Sequence, residues 1–100
     1  MNKEQRILNL LGLAQRAGRI VSGEEQVVAA IQEGKAKLVF LATDAAANLT
    51  KTMQDKGQFY QVDIATVFST LELSVAIGRS RKVVAVVDTG FAKKMRSLME

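Results

Sequence analysis

One hundred residues with a net charge of +4, 48% apolar and only 5% aromatic, make a chain of one-domain size whose core must be built from Val, Ile, Leu and Ala. The absence of both Cys and His excludes disulfides, zinc clusters, iron–sulfur centres, thiol nucleophiles and imidazole bases. No apolar run approaches the roughly 18 residues of a membrane span. The segment after Lys3, Glu4 and Arg6 is too short for a signal peptide, so a cytoplasmic chain without membrane or cofactor is expected. A pI near 9.7 favours an anionic partner without specifying one.

Without Pro, the seven glycines are the strong punctuation. From Lys3 to Arg16, apolar residues recur at Ile7, Leu10, Leu11 and Ala14, a helix of period near 3.6 that Gly18 ends. Ile20 and Val21 read as a brief strand. Ser22-Gly23-Glu24-Glu25 matches a capping box, with Ser22 as N-cap of a helix that buries Val27, Val28, Ala30 and Ile31 and stops at Gly34. The run Leu38 to Ala42 has the length of a strand covered on both faces. Strand, helix, strand from Gly18 to Asp44 is the unit of parallel sheets.

Asp44 can cap a third helix running through Lys56, with Leu49 and Met53 inward and Gly57 as its stop. Phe59 to Val62 reads as a third strand and Asp63 as the start of a helical turn. Ser69 to Glu72 is a second capping box, opening a short helix that ends at Gly78. Lys82 to Val87 is an apolar strand, and Asp88 or Thr89 caps a last helix carrying Phe91, Met95 and Leu98 inward. The order α-β-α-β-α-β-α-β-α predicts a single-domain three-layer α/β/α sandwich on a mixed sheet of about four strands.

The available groups form no nucleophile elbow, no Ser-x-x-Lys and no phosphate loop. Asp44, Asp63 and Asp88 each precede an expected helix, where capping accounts for them. A non-enzymatic chain is therefore expected. Two stretches carry a binding chemistry instead. At Ser22 to Gln26, either the residues only close a capping box, or Gly23 admits a ligand while Glu25 and Gln26 meet the edges of bases. In Gly78-Arg79-Ser80-Arg81-Lys82, three cations in four positions make either a solvated loop or a contact for phosphates. Arg19, Lys35 and Lys37 lie at the ends of the central unit and can add to the same field.

The stretch GRIVSGEEQVVAAIQEGKAKLVFLATDA, followed by AIG before the basic loop and by VVAVVDTGFAKKM, resembles the ribosomal protein L7Ae/L30e family, most of all its small bacterial ribosome-associated branch. The resemblance runs from about Gly12 to Met95. It implies an α/β/α sandwich that binds structured RNA, typically kink-turns in ribosomal RNA or around the ribosome. In such relatives the helix after the glycine matching Gly23 reads tandem G·A pairs through Asn, then Glu, then a Lys three further on. Those positions are Glu25, Gln26 and Ala29 here. Glu25 lacks the donor of Asn, Gln26 keeps the length of Glu without its charge, and Ala29 makes no polar contact. The family's loop around an extruded nucleotide falls on Arg79, Ser80, Arg81 and Lys82, whose charge shifts binding toward phosphates. The expectation is a monomeric RNA-binding domain contacting RNA through Arg19, Ser22, Gly23, Glu25, Gln26, Lys37 and Arg79 to Lys82. A protein-interaction module on the same fold is the alternative.

Overall fold

A computed structural model describes all residues from Met1 to Glu100. The elements are α1 (Lys3–Arg16), β1 (Ile20–Ser22), α2 (Glu24–Gln32), β2 (Leu38–Leu41), α3 (Ala47–Tyr60), β3 (Ile64–Ala65), α4 (Thr70–Ile77), β4 (Val83–Val86) and α5 (Thr89–Met99). No helix is long and apolar enough to cross a membrane.

The sheet order is β1-β4-β2-β3. β4 pairs antiparallel with β1 on one side and with β2 on the other, and β2 pairs parallel with β3. The sheet is mixed, as expected. The crossover β1-α2-β2 does join two parallel strands, but they are not neighbours, because β4 lies between them. β2 and β4 are buried along their whole length, whereas β1 and β3 are half-buried edges.

Alternation along the two central strands divides the core between the faces. Leu38 and Phe40 of β2, with Val84 and Val86 of β4, pack on Ile7, Leu11 and Ala14 of α1, Leu73 and Ile77 of α4, and Ala92 and Met95 of α5. Val39, Leu41, Val83 and Ala85 face the other way, toward Val27, Ala30 and Ile31 of α2 and Met53 of α3. Helices on both faces make the three-layer α/β/α sandwich.

Several expected boundaries are corrected. Ser22 is not an N-cap: it ends β1, and the cap of α2 is Gly23, at φ +92, without any side-chain hydrogen bond. Asp44 does not cap α3, whose N-cap is Ala46. Its Oδ1 instead accepts from both the backbone N–H and the Oγ1 of Thr70, each at 2.8 Å, at the start of α4. The Ser69–Glu72 capping box is present there as well, so the first turn of α4 is held from two sides. Asp88 caps α5 by accepting from the Phe91 N–H at 2.8 Å.

Gly57 does not stop α3. The helix runs through it to Tyr60 and turns at Gln61, which adopts a left-handed φ of 60°. The expected strand at Phe59 to Val62 and helical turn at Asp63 are thereby displaced. The strand forms at Ile64–Ala65, and the Asp63 carbonyl accepts from the Val39 N–H at 3.0 Å. Gly57 is in the helix because of packing, since an added Cβ would lie 2.5 Å from Ile64 Cγ1 and 2.9 Å from the Val62 carbonyl oxygen.

Gly57→Ala is therefore expected to destabilise the fold by about 1–3 kcal/mol, as overpacking does, although Gly→Ala within a helix ordinarily stabilises it. Chemical denaturation measures this, and a gain in stability would refute the packing account. The Thr70 hydrogen bonds hold the Asp44 carboxyl below its ordinary value of 3.8. A carboxyl whose pKa is lowered by folding stabilises the fold fully above that ordinary value, and the contribution is lost as pH falls through the lower folded value. Asp44→Asn, which keeps an acceptor, is expected to flatten the acid limb of a melting-temperature profile. An acid limb identical to that of the parent protein would remove Asp44 as its source.

Candidate functional site

The C-terminal ends of β1, β2 and β3, the N-terminal end of β4 and the N-termini of α2, α3 and α4 all lie at one end of the sheet, as the strand pairings and element order require. Open α/β sheets usually offer ligand sites at the carboxyl ends of their strands. Two stretches far apart in the chain meet at this end.

The register pairs Ser22 with Val84, and the Gly23 N–H donates to the Val83 carbonyl at 3.0 Å. This brings the β1–α2 turn beside the loop that precedes β4. Arg81 then bridges the two: its Nε donates to Ser22 Oγ at 3.1 Å and its Nη1 to the Ser80 carbonyl at 2.9 Å. The loop is anchored from behind by Ser74 of α4, whose Oγ accepts from the Arg81 N–H at 3.0 Å and donates to the Arg81 carbonyl at 3.2 Å. A guanidinium has five N–H donors. With two engaged inside the protein, three remain for a ligand.

Gly23 has a backbone reason to be glycine, since its φ of +92° strains any L side chain. The space above it is not empty, because an added Cβ would meet Arg81 Nε at 3.6 Å and Cδ at 3.8 Å. Arg81 is thus laid across the turn rather than extended into solvent, and it is half-buried.

The N–H groups of Glu24, Glu25 and Gln26 have no acceptor within the protein, and no side chain caps the helix. These donors sit at the positive end of the helix dipole, next to the Arg81 guanidinium. The carboxylates of Glu24 and Glu25 stand in the same turn and oppose a fully charged ligand. Neutral or partly charged acceptors such as base edges suit this mixture better than a free phosphate does. Glu25 and Gln26 are exposed, and neither folds back on Ser22. Their side chains remain free for a ligand.

Arg79, Ser80 and Lys82 are exposed in the adjoining loop. Lys82 is close enough to Asp44 to add to the lowering of its pKa, after the larger effect of Thr70. Arg19 and Lys37 are not part of this cluster. The Arg19 carbonyl accepts from the Val87 N–H, and the Lys37 N–H donates to the Val86 carbonyl, so both flank the far end of β4. That is about 13 Å away by strand rise. Each is also engaged there, Arg19 Nε with Asp88 at 4.0 Å and Lys37 Nζ with the Gly34 carbonyl at 3.1 Å. Lys35 pairs with Glu33 at 3.1 Å. Sequence reasoning missed Ser74. Its contacts span only seven residues, but nothing in the helix pattern distinguishes a polar position that grips a returning loop from one facing solvent.

Comparison with known proteins agrees with this architecture. The chain is 47% identical over 96 residues to an Enterococcus faecium protein named RNA-binding protein YlxQ, covering 96% of this chain and 93% of that one. It is equally similar over 92 residues to a Bacillus subtilis protein of the same name, covering 91% and 92%. Among solved structures, a protein of unknown function from Bacillus halodurans C superposes with a TM-score of 0.89 at 42% identity, covering 93% of this chain and 95% of that one. The Giardia lamblia 15.5kD RNA binding protein shares the fold, with a TM-score of 0.80 at 19% identity, covering 96% and 89%. A family model matches residues 5–96, and the chain belongs to the ribosomal protein L7Ae/L30e/S12e/Gadd45 family.

Proposed function

We propose that this protein binds structured RNA, non-enzymatically, with the β1–α2 turn and the loop before β4 acting as one surface. The observation that carries the reading is the Arg81–Ser22 hydrogen bond, which joins the two stretches across 59 residues. Family membership and the RNA-binding names of relatives 47% identical to this chain support it. Within this reading Gln26 and Glu25 meet base edges, the free N–H groups of α2 meet acceptors nearby, and Arg79, Arg81 and Lys82 meet phosphates. A kinked ribosomal RNA helix presenting sheared G·A pairs in the cytoplasm is the target this arrangement suits best. Such a kink offers base edges beside closely spaced phosphates, matching uncapped donors beside a guanidinium.

Arg19 and Lys37 have a weaker part in this reading. They can touch only RNA that continues past the far end of the sheet.

The exposed apolar residues Leu71 and Val75 of α4 and Leu13 of α1 (72%, 74% and 47% exposed) favour a second reading, in which the same fold also docks a protein. A pull-down that keeps its partners after nuclease treatment and at high salt would select that reading.

The principal experiment is a titration of a kink-turn RNA and of its counterpart lacking the G·A pairs, across a salt series. Preference for the intact kink is expected; equal affinities with steep salt dependence would reduce the site to a basic surface. Gln26→Ala is expected to weaken the specific complex by about 1–3 kcal/mol, and unchanged affinity would remove Gln26 from the site. Arg81→Ala should weaken both RNAs and lower the slope of log affinity against log salt by about 0.9, one phosphate's worth. Ser22→Ala and Arg81→Ala should be non-additive, because each removes the same bridge. Strict additivity would show that the bridge does not persist in the complex.

A further inference from the structure

Among the chain's five aromatic residues, Phe40 and Phe68 pack together in the core with ring centroids 5.8 Å apart. Phe59 and Tyr60 do the opposite. They sit at the C-terminal end of α3, edge to face at 4.8 Å and 72°, and Phe59 is 77% exposed. A phenyl ring so placed adds little to the core, and the helix does not require it, since glutamine or lysine would have higher helix propensity. Exposed single apolar residues are ordinary, but this one is paired with a second ring and stands beside a cation. Asp55, the nearby carboxylate, is engaged by Lys51 at 3.1 Å, which leaves Lys56 without an ion-pair partner.

The position of the pair connects it to the site at the first turn of α2. Thr52 and Lys56 of α3 line one open recess together with Glu24, Glu25 and Val28 of α2. The same two residues line the next recess together with Asp55, Phe59 and Tyr60. The two recesses share the Thr52–Lys56 edge, which sets the aromatic pair one recess away from the first turn of α2.

We propose that Phe59 and Tyr60 form a stacking platform for an unpaired base of the RNA held at the β1–α2 turn, with Lys56 meeting an adjoining phosphate. The platform rests on the RNA-binding reading above and extends it to single-stranded RNA flanking the structured element. Every base has a π-face, so aromatic stacking holds single strands with little regard to sequence. It would supply affinity for a flanking strand while the turn supplies recognition of the fold of the RNA.

Tyr60 is the only Tyr and there is no Trp, so intrinsic fluorescence reports on this platform alone. The test compares a blunt kink-turn RNA with the same RNA carrying a short single-stranded tail at each end in turn. One tailed form is expected to bind about tenfold tighter than the blunt form and to quench Tyr60. Phe59→Ala, a surface change that leaves the fold intact, should bind the blunt RNA normally and lose the gain from the tail. Equal affinity for tailed and blunt RNA with unmoved fluorescence would overturn the platform while leaving the turn's role standing. If no kink-turn RNA binds, the reading of the turn fails, and a short oligouridylate decides the platform separately. A shift of the Tyr60 ring resonances that is lost in Phe59→Ala would support it, and a silent Tyr60 ring would overturn it.

Discussion

Everything in this fold depends on β4 lying between β1 and β2. The strand is short, but it hydrogen-bonds on both edges and is buried on both faces. Its residues alternate between the two core clusters, so each helix layer is anchored through it. The proposed binding surface follows from the same placement. Because β4 enters the sheet beside the end of β1, the loop that feeds it must lie over the β1–α2 turn. The Arg81 bridge to Ser22 follows from that register.

The chemistry of the surface is a balance between opposed charges. The free N–H groups of α2 and the Arg81 guanidinium attract acceptors, while Glu24 and Glu25 resist an isolated anion. Such a mixture is poor at holding phosphate in general and better at holding a polar edge of defined shape. Arg79, outside the turn, carries no such opposition, and Lys82, whose neighbour Asp44 is held by Thr70, likewise suits a backbone contact. In the proposed function, the work is divided between positions that discriminate and positions that only attract.

The architecture was legible in the sequence because its signals are local and repeated. Helical period in α1, α2 and α5, unbroken apolar runs in β2 and β4, and glycines after three helices all report on the burial of nearby residues. What stayed hidden was set by distant contacts. Ser22 carries the pattern of a capping residue, yet a guanidinium 59 positions away claims its hydroxyl. Asp44 has the look of a cap for the helix that follows it, but it serves the helix after the next strand. Gly57 reads as a stop, whereas the ring of constraints around Ile64 makes it a packing glycine inside a longer helix. The candidate site was half visible: the turn and the basic loop stand out by composition, while their meeting, and the placement of Arg19 and Lys37 at the other end of β4, depend on a strand order that no local pattern encodes.

The strand that completes the sheet is made after the other three. β1 and β2 leave the ribosome early, yet they share no hydrogen bonds and have to wait for residues 83–86 to be placed between them. Until residues 83–86 emerge, only β2 and β3 can pair, and β1 has no strand partner. Completion of the four-stranded sheet therefore waits for β4. The same segment brings Arg81 to the turn, so the sheet and the candidate surface are completed by one stretch of chain.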